Sequence, residues 1–475
     1  MPGQSAPSLV WFRQDLRLAD NPALIAATDR GAPIVAVYVL DDDAPGKWRI
    51  GGAARWWLHH SLAALGKDLR QLSIPLVLRR GPSKTVIPKL VKEIGAEAVF
   101  WNRCYEPFAV SRDATIANAL TKVGIEIQDF AATLLTEPGT VENKSGNSFR
   151  VFTPFARTVL QRSQPAKPQP APRAKQHHLR ITSDDLDDWK LLPKHPNWAS
   201  SFGEDWTPGE AGAQEKLKTF SEDALGHYPT GRNLPGREGV SRLSPHLHWG
   251  EISVRQIWHA VELHSGNAAD TYLKELVWRD FAYQLLDQFP ALPDEPLTPR
   301  YTRFPWRQDA KALKAWQQGM TGYPFVDAGM RQLWTSGWMH NRVRMVVASF
   351  LVKHLLLPWA EGEAWFWDCL VDADLANNAM NWQWVAGSGA DAAPYFRIFN
   401  PVLQGEKFDK DGAYVRRWVP EIAGLPDKFL HRPWEAPGDV LAEAGVTLGK
   451  TYPKPIVDHE TARQRALEAL KTIQK

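Results

Sequence analysis

Cysteine is almost missing from this chain: there are two among 475 residues, Cys104 and Cys369, far apart and without CxxC spacing. That excludes a disulfide framework and a thiolate metal site, and it suits a reducing compartment, so a cytoplasmic location is expected. No run approaches the roughly 18 apolar residues of a membrane span, and residues 1 to 8 carry no basic leader. A chain that neither spans a membrane nor is exported is the expectation. An excess of one charge sign is also lacking. With 56 Lys plus Arg against 53 acids the formal charge is +3, too little for a nonspecific nucleic-acid coat, so any nucleic-acid contact has to be a local patch. Neither GxGxxG nor GxxxxGK[ST] occurs, which removes the ordinary dinucleotide and phosphate-loop sites.

Tryptophan, by contrast, is abundant. Of 22, 15 follow residue 205 and nine lie between Trp306 and Trp384. Taken alone, that is what a large aromatic core requires.

From Leu9 to about Phe130, short apolar runs alternate with helical patterns. The runs are Leu9 to Phe12, Ile34 to Leu40, Leu76 to Leu78 and Ala98 to Trp101, and the helical segments include Ala53 to Leu69 and Thr85 to Ile94. Continuous apolar strands separated by helices imply an α/β domain built on a doubly wound parallel sheet. Asp41-Asp42-Asp43 follows one of these strands and reads as a polar turn rather than a cation site. The stretch from Gln161 to Pro208 is rich in Pro, Lys, Gln and Asp without periodicity and reads as a long surface linker. Beyond Glu210 the pattern is helical, with segments near 252 to 263, 271 to 288, 309 to 319, 325 to 357 and 363 to 371. The expected organisation is an α/β domain over residues 1–130, a linker over 131–208 and an all-helical domain over 209–475.

Three features carry chemistry. The loop Gly231 to Gly239 leads through Val240-Ser-Arg-Leu-Ser244 to Pro245, which is placed as the first residue of a helix capped by Ser244. Its backbone amides, with Arg232, Arg237 and Arg242, suit a diphosphate. In Ser336 to Phe350, helical spacing lines up His340, Asn341 and Arg344 as one polar stripe. In Val371 to Trp384, Asp374 is placed to accept a ligand N–H, whereas Asp372 and Asp374, two residues apart, do not form a paired acid and base.

Long phrases in order along nearly the whole chain make it resemble the photolyase and cryptochrome family. They are Trp11-Phe-Arg-Gln-Asp-Leu-Arg17, Ser241-Arg-Leu-Ser-Pro245, Glu275-Leu-Val-Trp-Arg279, Gly322-Tyr-Pro-Phe-Val-Asp-Ala328, Trp338-Met-His-Asn-Arg342 and the stretch from Asp391 to Pro401. The resemblance implies FAD in the helical domain, held by Tyr228, Val240, Ser241, Arg242, Leu243, Ser244, Glu275, Arg279, Asn341, Arg344, Asp372, Ala373, Asp374 and Asn378. Asn378 would donate near flavin N5, and carboxylates would take ring N–H groups. Val240 departs from the family's usual Thr and removes a hydroxyl contact to phosphate.

It further implies that an excited, fully reduced flavin lends an electron to a pyrimidine dimer in UV-damaged single- or double-stranded DNA. The dimer is flipped out of the stack first, as photolyases do in common with other enzymes that act on bases. Trp382, Trp359 and Trp306 would relay electrons inward to an oxidised flavin. Trp278 and Trp384 would stack on the dimer, Met345 would make an apolar contact and Glu275 a hydrogen bond to a base edge. Asn341 would lie between cofactor and lesion, and Arg342, Arg397 and Gln404 resemble DNA contacts.

His340-Asn341 stands where six-four enzymes carry two histidines, so the cyclobutane dimer is the expected lesion. Asn378, where plant cryptochromes usually have Asp, and the end at Lys475 favour repair, while Arg55-Trp-Trp-Leu-His-His-Ser-Leu62 is similar to plant cryptochromes and the bacterial photolyases nearest them. The alternative is a cryptochrome-like blue-light receptor. Glu106 matches an acid that folate-type members use, which implies a methenyltetrahydrofolate antenna, although the Lys some of them supply is missing from Ala291 to Pro296. A monomer is expected.

Overall fold

The computed structural model describes residues 6–162, 164–173, 181–264, 266–391 and 396–474. Residues 392–395 of the Asp391 to Pro401 phrase lie outside them, as do 163 and 174–180 of the linker. The chain divides into two compact units. One comprises Met1–Asp223, Ser241–Pro290 and Val371–Leu375; the other comprises Ala224–Val240, Ala291–Leu370 and Ala376–Lys475.

The first unit is built on five parallel strands, β1 (Ser8–Phe12), β2 (Ile34–Leu40), β3 (Leu76–Arg80), β4 (Ala98–Asn102) and β5 (Glu126–Phe130), in the order β3-β2-β1-β4-β5. Helices α1 (Pro22–Asp29), α2 (Gly52–Gln71), α3 (Ser83–Ile94) and α4 (Pro107–Thr121) connect them. β1, β2 and β4 are buried along their whole length, as strands covered on both faces must be. β5 is the edge strand. Its sequence, Glu-Ile-Gln-Asp-Phe, alternates with exposed polar residues and leaves no continuous apolar run. Asp41 is the expected polar turn: its carboxylate accepts from the amides of Asp43, Ala44 and Ser83 at 3.1, 3.0 and 2.8 Å.

The phrase Trp11 to Arg17 is a structural latch. Arg17 is 1 % exposed and donates to the carbonyls of Ala19, Asp20, Gly250 and Ala132. Asp15 accepts from Asn102 Nδ2 at 2.6 Å, fixing the turn after β1 to the end of β4. The chain beyond β5 is fastened to the helix Asn267–Gln288. Asp280 accepts from the amides of Leu135 and Thr136 and from the Thr136 hydroxyl, and Gln284 accepts from the Gly139 amide. Burial pushes the Asp280 carboxyl up to about 6 against those bonds and the charge of Arg279.

Among the described residues no named strand follows Phe130, and the second unit is helical. The segment read as one helix over 325 to 357 is two, Pro324–Ser336 and Asn341–Ser349, the latter running into a π-helical turn Phe350–His354. Gly337, at φ 67°, ends the first in the left-handed conformation glycine adopts readily. Helix His459–Thr472 contributes Ala466 and Ala469 to a core with Tyr301, Phe304, Leu356 and Phe396, against which Trp306 packs. No described helix is long and apolar enough to cross a membrane.

Candidate functional site

In the first unit, the segment after the glycine loop does not begin as expected. The helix is Ser244–His248 and Leu243 occupies the cap without a side-chain bond. Ser244 is therefore inside the helix, and its hydroxyl donates to Asp372 Oδ2 at 2.6 Å instead of capping. A helix of five residues gives little dipole, so any anion affinity here comes from the loop. Arg242 holds a left-handed backbone (φ 52°), and its guanidinium lies 4.5 Å over the Trp206 ring, 3.5 Å from Asp205. Ser241 Oγ accepts from Tyr272 at 3.0 Å.

Asp372, Ala373 and Asp374 lie in a non-helical turn before the helix Leu375–Ala386, all under 9 % exposed. Asp374 Oδ2 accepts from the Tyr283 hydroxyl at 2.5 Å, with His248 Nδ1 3.3 Å away. Burial opposes its charge, but the His248 hydrogen bond, Arg279 and Tyr283 outweigh it and hold the carboxyl well below the usual range. The result is a buried anion, the right acceptor for a ring N–H. Arg279 donates to the Thr133 carbonyl at 2.5 Å and lies 5.5 Å over Tyr283, so it anchors the post-sheet chain as well. Glu275 is half-buried. One face of Trp278 is covered by Phe152, at a ring separation of 3.4 Å and 8°.

Glu106, 3 % exposed, stands at the start of α4, beyond β4 and next to the point where the strand order reverses. That is where doubly wound sheets bind ligands. Gln14 Nε2 donates to its Oε1 at 2.6 Å. Arg13 and Arg112 lie 4.3 and 4.8 Å over the Trp11 ring. Glu106 Oε2, Arg112 Nη2 and Trp11 Nε1 are buried without a hydrogen-bond partner among the described residues, a donor and acceptor set that fits a polar heteroaromatic ligand.

In the second unit, Gly231 and Gly239 meet back to back: a Cβ on Gly239 would stand 2.7 Å from the Gly231 carbonyl oxygen. Tyr228 is buried with Arg232 5.4 Å over its ring, and Val240 is half-buried. The polar stripe is rearranged. His340 precedes the helix Asn341–Ser349 as its cap, Nδ1 accepting from the Arg342 amide at 3.2 Å, while Asn341 is exposed in the first turn. Arg344 donates to the Met339 carbonyl at 2.8 Å. Arg342 donates to Asn233 Oδ1 at 2.5 Å, lies 4.4 Å over Phe408 and reaches Met345 Sδ at 3.8 Å. Trp384 and Gln404 are half-buried, and Arg397 is exposed with its carbonyl held by Lys353 Nζ at 2.7 Å.

The three tryptophans expected to form a relay grade in burial. Trp382 is 2 % and Trp359 6 % exposed, whereas Trp306 is half-buried beside Phe304, 4.4 Å between rings. Asn378 Nδ2 donates to the Glu363 carbonyl at 3.0 Å, which uses one of its two N–H groups. Tyr283, His248 and Phe152 escaped the sequence reading. Only His248, spaced as His-Leu-His with His246, left any trace.

Burial and then the charges of Arg342, Arg344 and Arg232 push His340 down to about 3. A base whose folded value is depressed contributes stability present above its ordinary 6.5 and lost as pH falls from there toward 3. Thermal melts should therefore drop between about pH 7 and pH 5, and less steeply in His340→Asn, whose amide oxygen keeps the cap without titrating. Equal slopes would contradict a neutral, buried His340.

Residues 8–173 match the family "DNA photolyase", and residues 272–472 match "FAD binding domain of DNA photolyase". The chain belongs to the photolyase and cryptochrome family, a class of flavoproteins. It is 51% identical to a deoxyribodipyrimidine photo-lyase of Agrobacterium fabrum, over 99% of both chains. It is 39% identical to cryptochrome-1 of Arabidopsis thaliana, over 98% of this chain and 70% of that one. A class III photolyase structure from Agrobacterium tumefaciens superposes with a TM-score of 0.97 at 50% identity, covering 100% of this chain and 99% of that one.

Proposed function

We propose that this protein repairs cyclobutane pyrimidine dimers in DNA by light-driven electron transfer from FAD, as a deoxyribodipyrimidine photolyase. The observation that carries the reading is the full-length, 51% relationship to a protein of that name. The donor chemistry supports it. The buried anion Asp374 and the Ser244-bonded Asp372 suit flavin and ribose donors, and Ser241, Arg242, Leu243 and Val240, with Tyr228 and the paired glycines Gly231 and Gly239, suit a diphosphate loop. Glu275, Arg279, Asn341, Arg344, Ala373 and Asn378 complete the proposed set. Bound FAD supplies, when reduced and excited, the electron that splits the dimer. The chain's own residues orient and shield. Trp278, stiffened by Phe152, and Trp384 offer aromatic faces to a flipped dimer, Met345 an apolar edge and Glu275 an acceptor, while Arg342, Arg397 and Gln404 meet the strand.

Residues 1–130 are proposed as the antenna domain, with methenyltetrahydrofolate recognised through Glu106, residues 131–208 as linker and 209–475 as the flavin domain. A cytoplasmic monomer is the accompanying proposal. The test is recovery of thymine absorbance from an oligothymidine carrying cyclobutane dimers, with reduced protein under blue light against a dark control. Light-dependent recovery is expected. Its absence from reduced, flavin-loaded protein would favour the alternative of a cryptochrome-like blue-light receptor.

A further inference from the structure

Helix Trp359–Cys369 carries Trp359 in its first turn and Gly362 three residues later, on the same face. Glycine inside a helix costs roughly 0.5–1 kcal/mol against alanine, so a buried glycine there calls for a separate cause. A methyl on Gly362 would stand 2.1 Å from Trp382 Cη2, 2.5 Å from Cζ3 and 2.6 Å from Leu351 Cδ2. The bare Cα is a slot, and the outer edge of the Trp382 indole fills it.

That indole has little freedom elsewhere. Phe366 meets it at 5.0 Å and 75°, and Trp316 at 6.3 Å and 71°. Trp316 is itself fixed by its Nε1 bond to the Val347 carbonyl at 3.0 Å. A methyl would have to push the ring by more than about 1 Å to restore an ordinary carbon contact of roughly 3.5 Å.

We infer that Gly362 is a positioning residue for electron transfer through Trp382, because its missing side chain is what lets that indole lie against the helix bearing Trp359. The inference rests on the tryptophan relay that the family resemblance implies. In that relay Trp382 would give one electron to the oxidised flavin, Trp359 would refill Trp382, Trp306 would refill Trp359, and a thiol in solution, the reductant, would refill Trp306, losing a proton and pairing with a second oxidised thiol as a disulfide. Gly362 takes no part in the exchange and acts only through the place of the ring.

Two readouts on the flavin-loaded protein decide it. Gly362→Ala should slow photoreduction severalfold, since electron transfer weakens exponentially as donor and acceptor move apart, with the flavin-to-protein ratio and repair by chemically reduced protein unchanged. Thermal stability of Gly362→Ala, Trp382→Phe and the double variant should be strongly non-additive, since phenylalanine lacks the outer ring atoms the methyl meets. If Gly362→Ala does not fold alone, the double variant should. Photoreduction at the original rate, an additive cycle, or a double variant that also fails to fold would each overturn the inference. Normal photoreduction in Trp382→Phe would instead overturn the relay on which it rests.

Discussion

Trp382→Phe should abolish photoreduction of the oxidised flavin while protein reduced chemically beforehand still repairs. Indole is the neutral side chain most readily oxidised, and a benzene ring at the same position offers no comparable donor. The fold should tolerate the change. Phe366 and Trp316 hold the site from two sides, and a buried loss of this size costs roughly 0.5–3 kcal/mol. Anaerobic illumination with a thiol, following the flavin absorption band, measures it directly. Undiminished bleaching would remove Trp382 from the path, and with it the reading of the burial gradient from Trp382 through Trp359 to Trp306.

Asp374→Asn should leave the protein folded but poor in flavin. The carboxylate is buried, accepts the Tyr283 hydroxyl and sits 3.3 Å from His248 Nδ1. An amide keeps the shape but loses the charge, and one of its ends becomes a donor. A hydrogen bond to a charged group contributes about 1.5–3 kcal/mol, so FAD affinity should fall roughly tenfold to a hundredfold. The flavin-to-protein absorbance ratio after dialysis reports it, and the far-ultraviolet dichroism should not change. A full flavin complement after dialysis would show that this anion serves the fold alone.

The strands β1 to β4 were legible because they are apolar runs, whereas β5, polar at the sheet edge, gave no such signal. The separation of helices Pro324–Ser336 and Asn341–Ser349 hinges on one left-handed glycine inside an unbroken apolar pattern. Ser244 does not cap its helix as expected, since a serine before proline signals a cap unless a carboxylate 128 positions away claims its hydroxyl. Tyr283 and Gly362 were invisible for the same reason. What each does depends on a partner remote in sequence, Asp374 for one and Trp382 for the other, and no local periodicity encodes that. The charged and aromatic residues of the motifs carry their chemistry in the side chain itself, so they could be proposed as site residues from the sequence alone.

Val371–Leu375 belongs to the first unit while the chain on both sides of it belongs to the second, and Ser241–Pro290 is bracketed in the same way. A single cut anywhere in this sequence therefore cannot give two pieces that each correspond to one unit. Asp280, Asp372 and Asp374 lie in stretches of the first unit that are bracketed by the second, so no continuous stretch consists of one unit alone and whole. Exchange of one unit alone would need crossovers at all five junctions between the two.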